Sequence, residues 1–232
     1  MTGRELALAY MVHPAVLTYV ALLALCGGLL VHLADASRGP LLRLALAAAG
    51  GVMVYPLAWY LLHRFVLHGQ WLYRSSMTSG LWKRIHYDHH ADPYDLRVLF
   101  GAPYTTLPTI AVVTLPMGGA LAGAAGAVAA FGGTLVTTLV YEYCHCLQHL
   151  HQAPPTRWLR RLKRLHLLHH FHNERGNYGI TSFGCDRIAG TYYDRAADVP
   201  PSPTVFNLGY GPEEQRRYPW VAQRSRRREP AR

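Results

Sequence analysis

The residues of this chain best suited to chemistry are its histidines, 14 in 232 positions. Ten of them fall in four groups. His63 and His68 form H-x4-H in HRFVLH, and His86, His89 and His90 form H-x2-H-H in HYDHH. His145 and His149 form H-x3-H in HCLQH, and His166, His169 and His170 repeat H-x2-H-H in HLLHH. Neutral imidazole is the commonest protein ligand for iron, copper, nickel and zinc. On a helix, positions i, i+3 and i+4 lie on one face, so each H-x2-H-H group is expected to converge on a point, and His145 and His149 to share a face. His63 and His68, five apart, diverge by roughly 140° on an ideal helix, which predicts a helix end or a distortion there. Three imidazoles on one helical face repel when protonated and waste hydrogen-bonding capacity when buried, unless a cation draws in their lone pairs. Ten such ligands suit two metal ions with five nitrogens each.

The elements that must position these groups are apolar. The chain is 50% hydrophobic and only 16% charged. Residues 15–34 and 41–62 are each long enough to cross a bilayer. The run 105–140 exceeds one span, and a break at Pro116-Met117-Gly118-Gly119 predicts a hairpin with spans at about 105–117 and 119–144. The expected fold is therefore all-α and integral to the membrane, one domain over residues 1–232 with about four transmembrane helices. A cytosolic helical cap, built from segments 63–103 and 145–212, holds the histidines. The first run reads as a retained helix and not a cleaved signal, since its basic n-region is weak. The tail 213–232 has little apolar periodicity and is expected to be loosely ordered. Trp71, Tyr73 and Trp82 read as an interfacial aromatic belt. Four cysteines without regular spacing imply no disulfide framework.

The net charge of +10 is concentrated in 64–97 and 157–232. The positive-inside rule places those segments and both termini in the cytoplasm, although Arg38 and Arg43 run against it. Basic runs beside membrane spans touch anionic headgroups, so no nucleic-acid partner is expected.

The four groups, together with HYDHHADPYDLRVLF, YEYCHCLQHLH and LHLLHHFHNERGNYGITS, resemble the membrane fatty acid hydroxylase and sterol desaturase superfamily over roughly residues 60–190. The closest likeness is to its fatty acyl 2-hydroxylase branch, and the H-x3-H spacing favours that branch over carotenoid hydroxylases. The resemblance implies four transmembrane helices under a cytosolic cap with two metal ions. Its ligands map onto His63, His68, His86, His89, His90, His145, His149, His166, His169 and His170. It implies hydroxylation of an aliphatic C–H bond in a membrane lipid, a fatty acyl chain above all, with O2 as co-substrate. The sequence departs from the pattern in a segment one residue shorter between Asp95 and Arg97, and in Glu142 where Asp is usual. No stretch of these 232 residues resembles the fused cytochrome b5 domain of eukaryotic members, so the electron donor is expected to be a separate protein of cytochrome b5, ferredoxin or flavodoxin type.

A saturated C–H bond requires an oxidant made from O2 by a redox-active metal. Two iron ions are expected; zinc binds the same ligands as a substitute but cannot cycle. Asp88, Asp95 and Glu142 are candidate acceptors for imidazole N–H groups; Asp88 and Glu142 are equally candidates for salt bridges to Lys83, Arg84 or the Arg160–Arg164 cluster. His151 and His172 lie beside the groups without fitting their spacing. Desaturation, or hydroxylation of a sterol, carotenoid or hopanoid, uses the same ligand set and stays open. A metal transporter would place ligands near the bilayer midplane, whereas these lie at span ends or beyond. The Ala- and Arg-rich composition points to a bacterial inner membrane, and oligomeric state has no signature in the sequence.

Overall fold

The computed structural model describes residues 3–37, 41–151 and 153–226; the last six residues of the basic tail lie outside it. In chain order the helices are α1 (Gly3–Met11), α2 (Pro14–Ser37) and α3 (Leu41–Leu61), followed by a π-helical turn at Leu62–Leu67. Next come α4 (Ser79–Trp82), a second π-helical turn at Lys83–Tyr87, α5 (Asp88–Ala91) and α6 (Leu96–Leu99). The chain continues through α7 (Pro103–His149), α8 (Arg157–Phe171), α9 (Gly184–Ile188), α10 (Pro212–Arg217) and α11 (Trp220–Arg226). The described residues contain no strand. They divide into two compact units. One comprises residues up to Ala58 with Phe100–Leu147, the other Trp59–Leu99 with residues from Gln148 onward.

The first unit carries the apolar length. Among the described residues, three helices are long and apolar enough to cross a membrane: Pro14–Leu33, Leu41–Leu67 and Pro103–His149. Only 17%, 17% and 28% of their most apolar windows are buried. Val31, Met53 and Val112 are among the apolar side chains left exposed, the pattern of helices that meet lipid instead of a protein core. Helix α7 is two helices in series, because Ala122 (φ −150°) and Gly123 (φ 61°) leave helical geometry. Gly118 and Gly126 meet across this reversal with no room for a side chain on either. The break in the apolar run falls at Ala122–Gly123 and not at Pro116–Gly119, and it divides α7 into two apolar segments. Proline removes one helical hydrogen bond and bends the helix. Reversal needs a left-handed φ, which glycine adopts at no steric cost. Small residues then let backbones touch: Ala47, Ala129 and Ala130 form a buried cluster, and a Cβ on Gly51 would collide with the Ala130 carbonyl.

The second unit is built around a separate core of Leu72, Tyr73, Trp82, Leu208, Tyr210 and Val221. Trp82 donates its indole N–H to the Leu67 carbonyl at 2.8 Å. Tyr73 and Trp82, each 1% exposed, are therefore core residues and not the expected belt; only Trp71 is exposed. The tail expectation also needs correcting. Residues 213–226 are largely helical, with Val221 buried and the Tyr210 hydroxyl donating to the Tyr218 carbonyl at 2.6 Å. A long apolar period was unnecessary, because two short helices only complete a surface that Tyr73, Trp82 and Tyr210 have already formed. Helix α8 is amphipathic: Thr156 caps its N-terminus by accepting from the Leu159 amide at 3.2 Å. Leu162 and Leu165 pack inward against Phe183, while Arg157, Arg160, Arg161 and Arg164 are exposed.

Candidate metal centre

The irregular turns carry ligand-type residues. Where α3 gives way to the π-helical turn, the His68 amide donates to the His63 carbonyl at 3.1 Å, an i to i+5 bond. One extra residue per turn cancels the divergence of an ideal helix, and the two Nε2 atoms stand 3.2 Å apart. The predicted distortion is thus present and is what pairs them. The second π-helical turn ends beside His86, whose Nε2 lies 2.9 Å from that of His68.

Among the described residues, two groups of imidazoles have ring nitrogens within 4.8 Å of one another. His63, His68, His90 and His169 form one, which His86 adjoins, and His89, His149, His166 and His170 belong to the other. His145 sits one turn before His149 on α7 and is buried like it. The H-x2-H-H groups do not converge on a point as expected. Each is divided, His90 from His89 and His169 from His166 and His170, because successive residues on a helix point about 100° apart. The groups are close, with the His90 and His170 rings 4.2 Å apart.

Backbone carbonyls orient three of these rings. His63 Nδ1 lies 2.6 Å from the Tyr178 carbonyl, His169 Nδ1 2.7 Å from that of Gly176, and His90 Nδ1 3.1 Å from that of Val205. A carbonyl only accepts, so each Nδ1 must donate, and in the neutral ring this leaves the lone pair on Nε2. Burial above all, then the neighbouring imidazoles, holds His68, His86 and His170 well below the usual histidine pKa, which favours their neutral form. The Nδ1 of His170 is buried without a hydrogen-bond partner. Buried, neutral, converging nitrogen donors fit iron or zinc, and do not fit calcium or magnesium, which take oxygen ligands.

The two carbonyls that hold His63 and His169 belong to one loop, and a buried carboxylate organises it. Asp186, fully buried, accepts from the amides of Tyr178 (2.9 Å) and Gly179 (3.0 Å) and from the Thr191 hydroxyl (2.8 Å). Asn177, at φ 54°, makes the left-handed turn between Gly176 and Tyr178 and bonds the Tyr193 backbone on both sides. Burial chiefly pushes the Tyr178 hydroxyl up to about 12, and its ring lies 5.2–5.6 Å from His63, His68 and His169. Glu174, also buried, accepts from the Thr204 hydroxyl at 2.6 Å. None of Asp186, Tyr178 and Glu174 was singled out from the sequence, since each stands outside any ligand spacing; the run HNERGNY, one residue after HLLHH, was the available signal for the last two.

Of the candidate carboxylates, Asp88 pairs with Lys83, and Glu142 accepts the Gly101 amide at 3.1 and 3.3 Å. Asp95 takes part in the turn before α6 through its own amide, which donates to the Asp92 carbonyl at 3.2 Å. His151 stacks on Tyr94 at 4.9 Å, and His172 Nε2 donates to the Val199 carbonyl at 2.8 Å; neither belongs to the two groups.

A family model described as fatty acid hydroxylase matches residues 48–191, a region that contains all ten grouped histidines. The chain belongs to the fatty acid hydroxylase family. Within it, the chain is 34% identical over 152 residues to the ceramide very long chain fatty acid hydroxylase of Saccharomyces cerevisiae, a match covering 61% of this chain and 36% of the yeast protein. It is 34% identical over 155 residues to a dihydroceramide fatty acyl 2-hydroxylase of Arabidopsis thaliana, covering 64% and 61%. To the fatty acid 2-hydroxylase of Homo sapiens it is 30% identical over 132 residues, covering 57% and 35%. The matches thus span between about a third and three-fifths of these relatives. The fold is similar to a solved structure of full-length scs7p in which only the hydroxylase domain is visible. The TM-score is 0.66 at 28% identity, over 83% of this chain and 69% of that one.

Proposed function

We propose that this protein is an integral membrane hydroxylase that inserts one atom of O2 into an aliphatic C–H bond of a lipid, with a fatty acyl chain as substrate and two iron ions as cofactor. The observation that carries this reading is the gathering of imidazoles, nearly all of them buried, into two adjacent groups within a chain of the fatty acid hydroxylase family. His63, His68, His86, His90 and His169 would hold one ion. His89, His149, His166 and His170 would hold the other, with His145 joining from one turn earlier on α7. Iron bound there supplies the redox cycling that activates O2 toward a C–H bond, which zinc in the same ligands cannot.

The protein's part is positional. The carbonyls of Tyr178, Gly176 and Val205 hold Nδ1 of His63, His169 and His90, so that in the neutral rings lone pairs and not N–H groups would be offered to bound ions. Burial of these side chains would limit the access of bulk water and with it side reactions of the oxidant. The second oxygen atom leaves as water, with two electrons from a separate donor of cytochrome b5, ferredoxin or flavodoxin type and two protons from solvent. The basic segments and both termini face the cytoplasm, where that donor is found; a bacterial inner membrane is the setting the composition favours.

Lipid mass spectrometry of cells with and without the gene, under O2, tests the reading. The expected product carries one added oxygen, and His89→Ala abolishes it while lowering the bound metal. Loss of two hydrogens instead would make the chain a desaturase. An unchanged lipidome with the wild-type gene would refute the hydroxylase assignment, and full activity of the His89→Ala variant would refute the metal site.

A further inference from the structure

On the side of α8 turned away from His166, His169 and His170 lies a hollow of about 500 Å³. Leu167, Leu168 and Phe171 of α8, with Ala153 and Pro154 from the stretch after α7, give it apolar walls. Arg160, Lys163 and Arg164 contribute the charge. Lys163 donates to the Leu150 carbonyl, and Arg164 is committed to Asp194, with Nη2 2.9 Å from Oδ1. Arg160 has no ion-pair partner among the described residues and is exposed. Arg160 thus brings a positive charge that no described carboxylate neutralises. Beside the hollow runs an exposed aromatic strip. Tyr94 stacks on His151 (4.9 Å) and on Phe171 (5.8 Å), and Phe171 meets Phe206 edge-on (5.9 Å).

Apolar walls with a cationic rim match an amphiphile that has a chain and an anionic head. Inorganic phosphate would leave the walls unused, and a neutral lipid would leave the charge unanswered. The place in the chain narrows the source. His151, the first lining residue in the chain, lies two residues after His149, the last residue of a helix long and apolar enough to cross a membrane. Lipid headgroups lie at the ends of such helices, where basic and aromatic side chains concentrate.

We propose that this hollow binds an anionic phospholipid of the surrounding membrane. Arg160 and Lys163 hold the phosphate, Arg's planar fork suiting its oxygens, and the upper acyl chain lies against Leu167, Leu168 and Phe171. The site is separate from the histidine groups and does not depend on what reaction they perform.

Native mass spectrometry of the full chain in a non-ionic detergent tests this, with phosphatidylglycerol and phosphatidylcholine of identical chains and inorganic phosphate as probes. Phosphatidylglycerol is expected to bind about tenfold more tightly than phosphatidylcholine, and inorganic phosphate not to bind. Arg160→Glu is expected to weaken phosphatidylglycerol about tenfold and leave phosphatidylcholine unchanged. The control Arg187→Glu, on α9, leaves both unchanged. Equal affinity for the two lipids, indifference to Arg160→Glu, or an equal loss in Arg187→Glu would each overturn the proposal, the last by showing diffuse attraction to a basic surface. Binding of inorganic phosphate as tight as that of the lipid would make the hollow an anion site and overturn it equally.

Discussion

Asp186 touches no histidine, yet its replacement by Asn is expected to impair metal binding. Its carboxylate accepts two backbone amides and one hydroxyl in a fully buried position, and the amides belong to the loop whose carbonyls orient His63 and His169. In Asp186→Asn one oxygen becomes an NH2 group. If the remaining oxygen keeps Tyr178 and Thr191, the new donor faces the Gly179 amide, and that buried N–H loses its partner at a cost of about 1–3 kcal/mol. The two surviving bonds change from charge-assisted to neutral, losing about 1 kcal/mol each. The sum is about 3–5 kcal/mol, concentrated on residues 176–180. Loss of such outer hydrogen bonding typically costs about 10–100-fold in metal affinity. Titration of metal-free protein with iron or zinc, together with thermal unfolding, checks this: weaker binding and a lower melting temperature are expected. Wild-type affinity in an Asp186→Asn variant would show that the loop holds its carbonyls without the carboxylate, and the reasoning would fail.

Three further outcomes follow from the same structure. His68, His86 and His170 have pKa values held below the ordinary histidine value in the folded state, so the unfolded chain binds protons first as pH falls. The stability of metal-free protein should be fully present above about pH 6.5 and decline below it, by up to about 4 kcal/mol per pH unit if all three act together, which denaturant unfolding at several pH values measures. Gly51→Ala forces a methyl onto the Ala130 carbonyl; it should cost about 1–3 kcal/mol, seen as a lower melting temperature in detergent, with metal content per folded chain unchanged. Val221→Asp places a charge in the core formed by Tyr73, Trp82 and Tyr210. It should destabilise by about 3 kcal/mol or more, whereas a loosely ordered tail would tolerate it, as limited proteolysis would show.

The sequence by itself determined the helical class, the apolar segments and the ten histidines, because span length and ligand spacing are local properties that survive without knowledge of the fold. It also located the trouble at His63 and His68, since a spacing of five fits no ideal helix; the π-helical turn is the answer. Tertiary structure decided how the histidines divide. Neighbours such as His89 and His90 point in different directions, and which group each joins depends on the helix it faces, something spacing along one helix does not encode. It decided the tautomers as well, through carbonyls 115 residues from His63 and from His90. The hairpin's turning point went to Gly123 over Pro116, and the tail found its order in an aromatic core assembled from distant segments. Each of these depends on a partner far away in sequence, and such partners exist only once the chain has folded.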